Sequence, residues 1–88
     1  MEIIIKKLSE EEIKSKNITK WPIWTKEVST FDWFYDEKEE CLFLEGKVII
    51  HTDSDKLEIQ KGDYAVFPKG LSCKWEVIEP IKKYYKFS

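Results

Sequence analysis

Glu39, Cys73 and Tyr35 are the residues of this 88-residue chain whose pattern best suits them to chemistry. In Glu39-Glu40-Cys41-Leu42-Phe43, a strand's period of two puts Glu39 in phase with the apolar Cys41 and Phe43. In Ser72-Cys73-Lys74-Trp75-Glu76-Val77, Cys73, Trp75 and Val77 share one face, and Ser72, Lys74 and Glu76 take the other. In Phe31-Asp32-Trp33-Phe34-Tyr35, the residues Phe31, Trp33 and Tyr35 fall together. A carboxylate, a thiol and a phenol would then converge on a cluster of rings, the arrangement of a binding site. An enclosed carboxylate can carry a proton, and a thiol can attack as a nucleophile or serve as a second acid. Trp33, Trp75 and Phe43 can stack on a planar ligand and shield the charge.

Each of these residues has a structural alternative. Glu39 serves equally as a rim carboxylate paired with a lysine or with backbone amides, because an unpaired inward Glu is costly and answers by raising its pKa. Free cysteines commonly act as small buried hydrophobes, and Cys41 is filler on this view. Trp33, Tyr35 and Trp75 are core as readily as cage. His51, the sole histidine, lies beyond Gly46 on the following strand, as a solvated or core residue.

The elements that must position these residues are mostly strands. Ile3–Ile5 opens the chain as a strand. Ser9 and Glu12 have the spacing of a capping box, which predicts a helix over Glu10–Lys16. Beyond Trp21 come short β-branched and aromatic runs: Trp24–Val28, Phe31–Tyr35, Glu39–Glu45, Lys47–Thr52, Lys56–Gln60, Tyr64–Phe67, Ser72–Ile78 and Ile81–Phe87. Gly46 is read as a turn, Pro80 as a break, and Pro68-Lys69-Gly70 as a tight corner. Many short strands with closely spaced turn signals predict one all-β sandwich or barrel spanning residues 1–88, with its core over about 21–87.

Composition narrows the function. The net charge is −2 and the pI near 5.5, so no global field favours nucleic acid or an anionic membrane. Lys82-Lys83-Tyr84-Tyr85-Lys86 interleaves lysines with rings as single-strand binders do, but with this acidity it reads as an edge strand guarded by lysines. No apolar run approaches a membrane span and no signal-peptide pattern opens the chain, so the expectation is cytoplasmic, with Cys41 and Cys73 reduced. Both faces of Cys41-Leu42-Phe43-Leu44 are apolar, which predicts a homodimer that covers the outer one.

Glu39 through Leu44-Glu45-Gly46, with Gly62-Asp63 and Pro68-Lys69-Gly70, resembles the two motifs of the cupins. With Trp24, Phe31-Asp32-Trp33, Tyr35, Phe67 and Trp75, the pattern looks like the small single-domain cupins related to ureidoglycine aminohydrolase. The resemblance covers roughly Trp21 to Tyr85. It implies a cupin jelly-roll barrel (a double-stranded β-helix, RmlC-like) with one short N-terminal helix. Metal cupins use three His and one Glu; by spacing these positions are held here by Trp33, Tyr35 and Cys73, with Glu39 alone retained. One carboxylate and one thiol are too few ligands, so no metal and no cofactor is expected. The resemblance implies a small-molecule-binding cupin in which Glu39 is the acid or base, Cys73 a nucleophile or second acid and Tyr35 a donor. Two readings stay open: a metal-independent enzyme acting on a small nitrogenous or carboxylate metabolite, and a non-catalytic ligand-binding or structural dimer module.

Overall fold

In a computed structural model, which describes residues 2–88, the chain runs β1 (Ile4–Lys6), α1 (Glu10–Ser15), a single 3₁₀ turn (Ile18–Lys20), β2 (Ile23–Lys26), β3 (Ser29–Phe34), β4 (Glu39–His51), β5 (Lys56–Gln60), β6 (Tyr64–Phe67) and β7 (Ser72–Phe87). The helix starts at its expected cap. The Ser9 amide donates to Glu12 Oε1 at 3.0 Å and the Glu12 amide donates to Ser9 Oγ at 3.2 Å, so two otherwise orphaned amides are satisfied. No helix among the described residues is long and apolar enough to cross a membrane.

β4 and β7 form an antiparallel spine, from Glu39 opposite Phe87 to His51 opposite Lys74. Other strands add to this ribbon at different ends. β6 pairs with Glu39–Leu42 and β1 with β6, whereas β5 pairs with Lys47–His51. On the far side, β2 pairs with the Ile81–Tyr84 stretch of β7 and β3 with its Ser72–Val77 stretch. One bent ribbon therefore belongs to both halves of an all-β, antiparallel jelly roll, as the cupin resemblance implied.

The bend corrects two expectations. Gly46 does not turn the chain and Pro80 does not break it; β4 and β7 each pass straight through. The register slips between Phe43 and Val48, opposite the Glu79–Lys82 stretch. Such a bulge bends a ribbon without ending it. Pro80 is tolerated because it falls within the slip, where no ladder bond requires its missing N–H. Gly46 is needed because its φ is +91° and the Pro80 carbonyl oxygen lies 2.1 Å from where a Cβ would stand.

The bulge also shifts the inward phase of β4. Glu39, Cys41 and Phe43 point in before it, Val48 and Ile50 after it. In β7 the odd phase persists from Cys73, Trp75 and Val77 to Ile81 and Lys83. On the outer face of β4, Leu42 is covered within the chain. Leu42 packs with Ile18 and Tyr64 beneath Leu8, Ile13, Trp21 and Tyr84, so α1 and the 3₁₀ turn close that side. Lys82–Tyr84 is not an edge: this stretch of β7 lies between β4 and β2.

Candidate functional site

A cavity of about 250 Å³ opens inside the barrel between β2, β3, β4 and β7. Trp24 comes from β2, Phe31 and Trp33 from β3, Tyr35 from the segment after it, Glu39 from β4, and Trp75, Lys83, Tyr85 and Phe87 from β7. Exposure gives the cavity a direction. Tyr35, Glu39, Trp75 and Lys83 are no more than 4% exposed and form its inner end, whereas Trp33 at 47% and Phe87 at 40% stand at the mouth.

The inner end is a hydrogen-bonded triad. The Tyr35 hydroxyl donates to Glu39 Oε1 at 2.8 Å, and the Lys83 ammonium donates to Glu39 Oε2 at 2.9 Å. Both carboxylate oxygens are thus engaged, which offsets the cost of enclosing the charge. The ammonium also lies 4.5 Å from the Trp75 ring centroid, 4.9 Å from Trp24 and 5.8 Å from Phe43, within cation–π range of all three. Burial, reinforced by the Glu39 charge, pushes the Tyr35 phenol far above its ordinary pKa, in keeping with its role as a hydrogen-bond donor.

The motif turns hold this triad in place. The Tyr35 amide donates to the Leu71 carbonyl at 2.9 Å, and the Gly70 amide donates to the Tyr35 carbonyl at 2.7 Å, so the Pro68-Lys69-Gly70 corner clasps Tyr35 from both sides. Phe67 stacks on the Tyr35 ring, with centroids 5.1 Å apart and planes 10° from parallel. The Gly62-Asp63 turn is structural: Asp63 accepts from the Gln60 amide at 2.9 Å and pairs with Lys7 at 2.7 Å.

The expected site residues divide. Trp33, Tyr35, Glu39 and Trp75 come together around the cavity. Phe43 lies in the core under Lys83 and does not line the cavity. Cys73 does not line it either, but borders a neighbouring shallow depression with Asp32 and His51. Desolvation raises the Cys73 thiol to about 11, with Glu39 and Asp32 adding to the rise and the nearby Trp75 indole opposing it. That indole N–H has no hydrogen bond of ordinary geometry. Cys41 is fully enclosed, with its thiol facing the Ala65 carbonyl at 3.7 Å, and burial raises its pKa as well. His51 lies apart, bonded to Glu76 at 2.8 Å.

Burial thus disfavours the thiolate at both cysteines. At pH 7 a thiol with a pKa of about 11 is ionised in about one molecule in 10⁴. Native Cys73 is expected to label slowly at pH 7 and about tenfold faster per pH unit towards 11, with Cys41 slower still, and both rapidly in denaturant. Mass-resolved alkylation kinetics measure this, and fast native labelling of Cys73 at neutral pH contradicts it.

Lys83 escaped the sequence reading. The signal was there: the odd phase of Cys73, Trp75 and Val77 extends through Ile81 to Lys83 once Pro80 is not treated as a break. The residues present do not suit the metal of the metal cupins. Among the described residues no three His, Cys, Asp or Glu side chains converge. Glu39, the one carboxylate among the described residues that line the cavity, already has both oxygens engaged, and the Lys83 ammonium supplies its counter-charge.

The family profile described as the EutQ-like cupin domain matches residues 14–85. Among solved structures, a DUF861 family protein from Thermotoga maritima is 50% identical and superposes with a TM-score of 0.96, the match covering 99% of this chain and 100% of that one. The EutQ protein of Clostridium difficile is 20% identical, with a TM-score of 0.69 over 97% of this chain and 66% of its own. A putative ethanolamine utilization protein Q from Salmonella typhimurium is 17% identical, with a TM-score of 0.68 over 97% of this chain and 68% of its own. These last two are likenesses of fold alone. A comparison with curated proteins gives no match. The match is thus to EutQ-like cupins, and it supports the small-cupin part of the expected resemblance without its ureidoglycine aminohydrolase part. The chain belongs to the EutQ-like cupin domain family.

Proposed function

We propose that this cupin binds a small planar metabolite in its barrel cavity without a metal. The observation that carries this is the enclosed Tyr35–Glu39–Lys83 triad at the inner end of a ring-walled cavity. A purely structural barrel gains little from such a triad, because well-packed apolar side chains in place of a buried ion pair are often neutral or stabilising. The volume of about 250 Å³ falls below the roughly 300–1,000 Å³ of drug-sized ligand sites, which suits a ligand of about ten non-hydrogen atoms.

Turnover in the manner of ureidoglycine aminohydrolase-like enzymes is the second reading, and the triad favours it over a filled barrel. Glu39 would exchange a proton with a small nitrogenous or carboxylate substrate, Tyr35 would donate a hydrogen bond, and Lys83 would balance the charge. Cys73 takes no part in this scheme.

A metabolite-library thermal shift on wild type, Glu39→Gln and Trp33→Ala tests the binding. A ligand at 100 times its Kd adds about 2.7 kcal/mol of stability, enough to raise the Tm of a domain this small by about 10 °C or more. Trp33 stands exposed at the mouth, so Trp33→Ala is expected to fold like wild type and to respond less to the same ligand. If no compound stabilises wild type more than the two variants, the cavity is not a ligand site.

A further inference from the structure

Resting on the binding role above, we propose that the Lys83 ammonium anchors the acid group of the ligand, so that the cavity selects small planar monocarboxylates. An ammonium has three N–H donors. The structure spends one of them on Glu39 Oε2, and no other oxygen or nitrogen acceptor holds Lys83 among the described residues. The side chain is nevertheless buried and lines the cavity, so its spare donors are pre-organised and water-poor. Two residues along the same strand face, Tyr85 also lines the cavity, and its hydroxyl bonds to no side chain among the described residues. The two spare ammonium donors and the Tyr85 hydroxyl all suit an acceptor.

The same geometry disfavours a cationic ligand. The cavity's one carboxylate, Glu39, already holds a donor on each oxygen. At the inner end, the aromatic faces of Trp24 and Trp75 are taken by the chain's own lysine. A second cation would meet an ammonium in place of a free acceptor. An incoming carboxylate instead gains charge-assisted hydrogen bonds in a low-dielectric cavity, where they are strongest. The rings of Phe31 and Trp33 add apolar wall for the rest of the molecule.

Benzoate, benzamide and benzylammonium share a ring and differ in charge, so they are the probes. Each is titrated at pH 7 into wild type, Lys83→Met and the uncharged double variant Glu39→Gln/Lys83→Met, followed by calorimetry and tryptophan fluorescence. Wild type is expected to bind benzoate most tightly and benzylammonium least. Lys83→Met is expected to lose about ten- to hundredfold in benzoate affinity, the worth of one charge-assisted bond, with benzamide changed less than threefold. The double variant leaves no unpaired charge, so it reports on the lysine even where the single variant fails to fold, and it too is expected to bind benzoate no better than benzamide. Wild type binding benzamide or benzylammonium as tightly as benzoate overturns the anchoring and leaves the cavity a ligand site. So does benzoate affinity that survives in the double variant. Binding of none of the three overturns both.

Discussion

Lys83→Met is expected to destabilise the folded chain by about 3–5 kcal/mol, because removing one partner of a buried pair leaves the other charge enclosed and uncompensated. Glu39 would keep only the Tyr35 hydroxyl, on one of its two oxygens. Against a total stability of about 5–15 kcal/mol, that is a large fraction, with a fall in Tm of well over about 10 °C. The double variant Glu39→Gln/Lys83→Met removes both charges and is expected to recover most of the loss, with a coupling energy of at least about 2 kcal/mol in the double-mutant cycle. Urea denaturation of the four proteins measures it. A single variant within 1 kcal/mol of wild type would mean that water reaches the pair and solvates the remaining charge. A double variant as stable as wild type would mean that the pair is retained for what it binds, since it then contributes nothing to the fold.

The second large effect is expected at the corner of the ribbon. Gly46→Ala places a methyl group where the Pro80 carbonyl oxygen stands at 2.1 Å and the Glu79 carbonyl oxygen at 2.9 Å. Both are backbone atoms of the paired strand, so neither can swing aside as a side-chain end would. The φ of +91° adds a strain of about 1–3 kcal/mol for a residue with a Cβ. The expected outcome is a loss of at least about 3 kcal/mol, or a chain that does not fold. Gly62→Ala is the control: its φ is +92°, but the nearest atom is the flexible end of Lys7, at 3.3 Å. It is expected to lose only the backbone term. Equal losses at the two positions, read from denaturation midpoints, would show that the close approach to Pro80 carries no weight.

Much of this protein is legible along the chain because the responsible physics is local. Ser9 and Glu12 cap a helix from three residues apart, so their spacing alone announces it. Alternation sorts side chains between two faces without reference to any partner strand. It therefore places Glu39, Cys41 and Phe43 inside, and Cys73 and Trp75 with them. The bounds of Lys56–Gln60 and Tyr64–Phe67 follow from turn residues on either side.

Only the tertiary structure decided what those inward residues meet. Lys83 reaches Glu39 across 44 residues of chain, and nothing near either position names the other. Gly46 and Pro80 look like punctuation when read singly; opposed across a bulge, they let two long strands pass through. Leu42 is apolar on the outer face, and only the fold shows that α1 and the 3₁₀ turn pack over it. Cys73, inward by phase, still falls outside the cavity, because which wall a strand contributes depends on its neighbours in the sheet. Local periodicity specifies a face. Register and closure specify a partner, and they arise only when distant strands bury their surfaces together.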